Sequence, residues 1–335
     1  MKLFNTNIKK KVFLIAEIGV NHEGSYLKAK KLLDLAYANG ADAIKFQFYS
    51  PEKFISRDDK KRFKRVKKFS LNNFEINKLI KYSKKKKIPV FATPVSHDYV
   101  NFINKNFGII KIASGDCTFN ETLKRAAKTQ GKILLSTGNT NINEVKKSIN
   151  ILKRISKINL KKRLVIMHCV SAYPAPIKEI NLRILNTIKK FGFYVGYSNH
   201  ALEYEECCLG AISFGARVIE VHFTDNKKNR KFRDHKLSVS PEELLILRKK
   251  IDNLDYALGN SQKKIQESEL KQTKNLKKGL VAKLNLDKGT KIKKEHVDYA
   301  RPALYFNANN LKTILGKKIK KNIKQGYLFR KEHFK

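Results

Sequence analysis

Short apolar and β-branched runs alternate with amphipathic stretches of helical period, almost without a break, up to about residue 255. The runs that predict strands are Val12–Ile18, Ala43–Gln47, Pro89–Thr93, Ile109–Ser114, Ile133–Thr137, Leu164–Cys169, Tyr194–Ser198 and Arg217–Phe223. Between them, helical spacing covers Tyr26–Asn39, Glu75–Lys86, Glu121–Thr129, Asn143–Ile155, Ile180–Lys190 and Glu205–Gly215. Eight strands of buried type, most followed by a helix, predict an α/β chain closed into a (β/α)8 TIM barrel. The alternative, an open doubly wound sheet, would want G-x-G-x-x-G after its first strand, and that motif is missing.

Beyond the helix pattern at Pro241–Leu258 the texture changes. Ser261–Lys278 is polar and charged, as a linker would be. From Gly279 onward come short β-type runs with turn glycines at Gly289, Gly316 and Gly326. The predicted organisation is a catalytic barrel over 1–260, a linker over 261–278 and a small β-rich domain over 279–335. A domain of that size is marginal alone and would gain by packing on something else, such as a second subunit.

Bulk properties narrow the setting. No run approaches the roughly 18 apolar residues of a membrane span. The first residues, Met1-Lys2-Leu3-Phe4-Asn5-Thr6, show no apolar signal-peptide region. The four cysteines, Cys117, Cys169, Cys207 and Cys208, form no C-x-x-C pair, so a reducing cytoplasm is the expected compartment. A formal net charge of +43 would suit a nucleic-acid partner. However, Lys and Arg are spread through nearly every segment, as in a proteome-wide Lys and Asn bias, so neither nucleic acid nor membrane is expected as a partner. The same field would attract anionic substrates.

In such a barrel the reacting groups stand at the C-terminal strand ends. Lys45 and Lys111 sit inside otherwise apolar strands, where an unpaired ammonium is costly. With the hydroxyls of Thr93, Ser114 and Ser136 they could cage an anion. The plainer reading is buried ion pairing, Lys45 with Glu17 for example. His200 and His222 end neighbouring strands and could share a divalent ion facing Glu17, or could simply be packing residues. His168, inside an apolar strand, reads as a core or supporting histidine. His235 beside Asp234 is ambiguous.

These segments together resemble the bacterial sialic acid synthase family. They are Ala16-Glu17-Ile18-Gly19-Val20-Asn21-His22-Glu23-Gly24, Lys111-Ile112-Ala113-Ser114-Gly115-Asp116, Leu135-Ser136-Thr137-Gly138, His168-Cys169 with Tyr173-Pro174-Ala175-Pro176, and Gly196-Tyr197-Ser198-Asn199-His200 with Glu220-Val221-His222-Phe223-Thr224. The tail, with Ala300-Arg301-Pro302, is similar to the family's antifreeze-like (SAF) domain. The resemblance runs in order along nearly the whole chain.

It implies a transferase that joins phosphoenolpyruvate to an N-acetylated amino-sugar aldehyde, giving a nine-carbon 2-keto sugar acid and phosphate. By the resemblance, His200 and His222 would hold a divalent ion, Mn²⁺ before Mg²⁺ or Co²⁺, acting as a Lewis acid. Glu17 would hold a metal-bound water and move a proton. Lys45, Thr93, Lys111, Ser114, Ser136 and Ser198 would bind phosphoenolpyruvate, with Gln47 orienting it. Asp116 and Asp234 would contact the sugar or the attacking water, Tyr173 would line the sugar site, and Arg301 would reach across a domain-swapped homodimer.

The chain also departs from the family members that use N-acetylmannosamine. Their longer insertion after the second strand is replaced by the short, Lys/Arg-rich stretch Tyr49–Ser70. Asp116 stands where they have glutamate, Ser171 where they have asparagine, and Asn199 where they have aspartate. The run Ser171-Ala172-Tyr173-Pro174-Ala175-Pro176 is more similar to legionaminate or pseudaminate synthases, so a 2,4-diacetamido-trideoxyhexose stands beside N-acetylmannosamine as acceptor. A Schiff-base aldolase would need one desolvated Lys and no metal. A nucleic-acid-binding protein would need a basic cluster with stacking aromatics, and Arg57–Lys68, with Phe63, is the only dense cluster.

Overall fold

The computed structural model describes residues 1–228, 230, 232 and 234–334. The chain divides into two compact units, Met1–Gly259 and Asn260–Lys335. The first opens with a short antiparallel hairpin, β1 (Lys2–Leu3) and β2 (Thr6–Asn7). Eight strands follow: β3 (Phe13–Gly19), β4 (Ala43–Phe48), β5 (Val90–Pro94), β6 (Ile109–Ile112), β7 (Lys132–Ser136), β8 (Leu164–His168), β9 (Tyr194–Asn199) and β10 (Val218–His222). Each pairs in parallel with the next, and β10 closes onto β3, making the expected (β/α)8 barrel.

Side-chain alternation along a strand sorts each run into two faces. Leu14, Ala16 and Ile18 of β3, with Ile44, Phe46 and Phe48 of β4, join the layer packed against the helices. The opposite parity points into the barrel. At the N-terminal end that interior is apolar: Phe13, Ile15, Ala43, Phe91, Ile109, Leu134, Val165, Met167 and Val218 form one buried cluster. Leu3 and Ile8 of the hairpin belong to the same cluster, so the hairpin plugs that end. Further along the same inward parity stand Glu17, Lys45, Gln47, Thr93, Lys111, Ser136, Ser198, Glu220 and His222. A single period-2 pattern therefore builds an apolar floor and a polar upper layer.

The outer helices start where the chain supplies their first-turn hydrogen bonds. Asn72 with Glu75, Asn141 with Glu144, and Ser240 with Glu243 each form a reciprocal capping box. The helix predicted from Ile180 begins only at Ile184, because Asn181 takes a left-handed backbone with φ 48°. The strand predicted to run through Ser114 stops at Ile112, and Ser114–Asp116 forms a 3-10 turn. The basic stretch after β4 folds into helices at Pro51–Phe54 and Lys60–Phe69, the second burying only Val66.

In the second unit β11 (Gly279–Ala282) pairs antiparallel with β12 (Val297–Ala300) over a core of its own, including Leu280, Leu286, Ile314 and Phe329. Within 261–278 lie two single-turn helices, Glu267–Leu270 and Thr273–Leu276.

If the hairpin is part of the barrel's core, truncating its buried anchor must cost global stability. Leu3→Ala is expected to lower the free energy of unfolding in urea by about 2–4 kcal/mol. An unchanged midpoint would mean that the hairpin frays independently.

Candidate active site

The polar upper layer opens into a cavity of about 730 Å³. Glu17, Lys45, Gln47, Thr93, Lys111, Ser114, Asp116, Ser136, Tyr173, Ser198, His200, His222 and Asp234 all line it. Thirteen of the fourteen residues singled out from sequence therefore converge on one space. The fourteenth, Arg301, is exposed in the second unit. Glu220 also lines the cavity, as do Arg62, Lys53 and His97 at its rim.

Two lysines and two carboxylates form the buried centre. Lys45 Nζ lies 2.7 Å from Glu17 Oε2 and 3.7 Å from Glu220 Oε1. Lys111 Nζ lies 2.9 Å from Glu220 Oε2. Lys45 also donates to Thr93 Oγ1 at 3.1 Å, Gln47 Nε2 to Glu17 Oε1 at 2.9 Å, and Ser198 Oγ to Glu220 Oε1 at 2.9 Å. Both the anion-cage reading and the ion-pair reading of the lysines thus have a physical counterpart. The ammonium groups share one cavity wall, and each is neutralised by a carboxylate.

The two acids behave differently. Burial opposes ionisation of Glu220, but Lys111 and Lys45 outweigh it and hold its carboxyl down at about 2. Burial raises Glu17 against the pull of Lys45, and the nearby Glu220 charge pushes the same way as burial. Burial likewise lowers Lys111 despite Glu220, with Lys45 adding to the decrease. For Lys45 the two carboxylates overcome burial and raise it. Of the two acids Glu17 is therefore the more easily protonated and Glu220 the more firmly ionised.

The imidazoles stand at the cavity edge, their ring centroids 5.4 Å apart. His200 Nδ1 lies 2.6 Å from the Val170 carbonyl, which can only accept, so this nitrogen carries the proton and Nε2 keeps its lone pair. His222 Nδ1 is buried without a hydrogen-bond partner. Burial lowers His200 to about 4 and, with the neighbouring His200, holds His222 well below the usual imidazole value, so both rings are neutral at physiological pH. Neutral imidazoles with a free lone pair and an orphaned ring nitrogen fit a divalent cation. Among the described residues no group of three or more His, Cys, Asp and Glu converges as a complete ligand set, so water and substrate would fill the other positions. The Tyr173 ring packs 4.2 Å from His200 and 5.8 Å from His222, bracing the pair.

Other candidates sit as follows. Ser114 Oγ lies 3.0 Å from Cys169 Sγ and accepts from Gly138 N at 3.2 Å. His168 faces the helix layer, its Nε2 2.7 Å from the Ile180 carbonyl. His235 is buried, 2.7 Å from Thr224 Oγ1 and 3.3 Å from Glu23. The sequence reading assigned no role to Glu220, although it breaks an apolar strand on the same inward parity as His222.

With this geometry in hand, relatives become informative. The NeuB family profile matches residues 32–263. An N,N'-diacetyllegionaminic acid synthase of Campylobacter jejuni is 36% identical over 337 residues, 96% of this chain and 99% of that one. A pseudaminic acid synthase of the same species is 31% identical, spanning 97% of each. Among solved structures, N-acetylneuraminic acid (sialic acid) synthetase from Leptospira borgpetersenii, in complex with citrate, superposes with a TM-score of 0.75 at 32% identity, covering 81% of this chain and 94% of that one. A (β/α)8 barrel with a caged polar centre thus defines a barrel enzyme of the sialic acid synthase class. The chain belongs to the NeuB family.

Asp116 gives this site a pH signature. Burial raises its carboxyl to about 6, against about 3.9 in an unfolded chain. Between those values the folded state binds more protons, so stability falls as pH rises through that window. The Asp116→Asn variant should therefore gain melting temperature over the wild type as pH goes from about 4 to about 6, and hold that gain above. A difference that stays flat with pH would contradict the assigned environment.

Proposed function

We propose that this protein condenses phosphoenolpyruvate with an N-acetylated amino-sugar aldehyde, yielding a nine-carbon 2-keto sugar acid and inorganic phosphate. The observation that carries this reading is the cage itself. Lys45, Lys111, Thr93, Ser136 and Ser198 face one cavity beside a neutral histidine pair. The Lys ammoniums and hydroxyls would receive the phosphate and carboxylate of phosphoenolpyruvate, with Gln47 orienting the substrate. A divalent cation at His200 and His222, manganese or alternatively magnesium or cobalt, would polarise the acceptor aldehyde as a Lewis acid.

In the reaction, C3 of phosphoenolpyruvate forms a bond to the aldehyde carbon, whose oxygen takes up a proton and becomes a hydroxyl. Water adds to C2 of the resulting oxocarbenium, and the C2–O bond to phosphate breaks, leaving the 2-keto acid. Glu17, the acid with the raised pKa, is the group we assign to proton transfer. Asp116, Tyr173 and Asp234 line the same cavity; Asp116 and Asp234 would contact the sugar or the attacking water, and Tyr173 would line the sugar site. Arg301 and the second unit, read as an SAF domain, enter through the family resemblance. A homodimer in which Arg301 of one copy serves its partner's barrel is part of the proposal. For the acceptor we favour a 2,4-diacetamido-trideoxyhexose, because the relative that spans 96% of this chain at 36% identity is named a diacetyllegionaminic acid synthase. N-acetylmannosamine is the second reading, supported by the solved sialic acid synthetase at 32% identity.

Phosphate release from phosphoenolpyruvate, followed with each acceptor and with and without Mn²⁺, tests the reading. Release that depends on both acceptor and metal is expected, with His200→Ala and His222→Ala each losing at least about a hundredfold in kcat/KM. Borohydride trapping of a pyruvate–lysine adduct, with no metal requirement, would instead establish an aldolase. No release with either acceptor, in folded and metal-loaded protein, would sink the synthase reading.

A further inference from the structure

The charge on the barrel interior does not balance without Glu220. Lys45 and Lys111 are 3% and 2% exposed, and both project into one cavity. Two unpaired ammoniums at such a site would repel each other, and each would bear a large desolvation cost. Among the described residues, Glu17 pairs with Lys45 alone, and Glu220 alone reaches both lysines: Oε2 is 2.9 Å from Lys111 Nζ and Oε1 is 3.7 Å from Lys45 Nζ. Its own orientation is fixed from the neighbouring strand, since Ser198 is its register partner and donates to Oε1 at 2.9 Å. The carboxylate thus has a defined rotamer, a buried location and three partners, each expected to bind phosphoenolpyruvate.

We propose that Glu220 is a positioning residue for phosphoenolpyruvate, its carboxylate holding Lys45, Lys111 and Ser198 in one constellation that a single anion can enter. This rests on the synthase reading given above. Two physical roles can be told apart. A carboxylate that merely occupied the lysines would compete with the substrate anion, and removing its charge would tighten binding. A carboxylate that positions them supports binding, and removing its charge leaves two like charges to move apart or become solvated. The geometry favours the second role, because Glu220 projects from β10 across the barrel interior and meets Lys45 of β4, Lys111 of β6 and Ser198 of β9 at once. Thr93 and Ser136 line the same cavity and offer their hydroxyls to the anion beside it.

Glu220→Gln keeps the shape and an acceptor for Ser198 while deleting the charge. Titration calorimetry with phosphoenolpyruvate and Mn²⁺ should give a Kd at least about tenfold weaker than wild type. In turnover, KM for phosphoenolpyruvate should rise while KM for the sugar stays within about twofold, a split that a general loss of structure would not produce. Because Lys111 is one of the partners Glu220 holds, the same change made in a Lys111→Gln background should cost less. Should Glu220→Gln alone fail to fold, Glu220→Asp, which keeps the charge but shortens its reach to both lysines, makes the same test, with a weaker Kd for phosphoenolpyruvate expected. Tighter or unchanged binding in Glu220→Gln, or fully additive losses in the double variant, overturns the positioning role and leaves the synthase reading intact. Failure of wild-type protein to bind phosphoenolpyruvate overturns both.

Discussion

The site depends on the neutralisation of four charges inside a closed barrel. Lys45, Lys111, Glu17 and Glu220 are all nearly inaccessible, and no one of them could be stable there alone. Each strand contributes what its alternation permits. β4 delivers Lys45 and Gln47, β6 delivers Lys111, β9 delivers Ser198, and β10 delivers Glu220 and His222. The pairing is possible because the strands keep register around the barrel. Glu17 stands level with Lys45 on one side and His222 on the other, and Ser198 stands level with Glu220. The apolar floor beneath includes Leu3 and Ile8 of the N-terminal segment.

That arrangement separates the two acids by environment. Glu220 lies between both lysines and stays ionised, whereas Glu17 has one lysine and one nearby negative charge and is drawn toward its protonated form. Such a split lets one barrel hold a firmly ionised carboxylate and a more readily protonated one in the same cavity. The histidine pair stands slightly higher, neutral and tautomer-fixed at His200 by a backbone carbonyl. In the proposed reaction, anion recognition is therefore assigned to the strand layer, and handling of the aldehyde to the rim.

Much of this was legible in the chain. The eight strands appear where short apolar runs predict them, and the long helix Pro241–Leu258 falls on its predicted span, with proline at its first turn. Lys45 and Lys111 were conspicuous because each breaks an apolar run. Glu220 breaks Val218-Ile219-Glu220-Val221 in the same way, two positions before His222. Its importance lies in partners more than a hundred residues away, which no local pattern reveals. His22, part of the first segment that carries the resemblance, shows nothing of its surroundings in the local pattern. It is buried under Phe46, accepts from Gly24 N and is lowered by burial to about 4, all through loop packing. Where local signals misplaced an edge, a single backbone conformation decided it, as at Asn181.

A crystal structure with phosphoenolpyruvate and manganese tests the central claim most directly, the anomalous signal fixing the metal. The account places the phosphoenolpyruvate anion within hydrogen-bonding distance of Lys45 and Lys111 Nζ, and manganese on His200 and His222. Phosphoenolpyruvate bound elsewhere, with Lys45 and Lys111 still closed on Glu17 and Glu220, would show that the buried charges serve only the stability of the barrel.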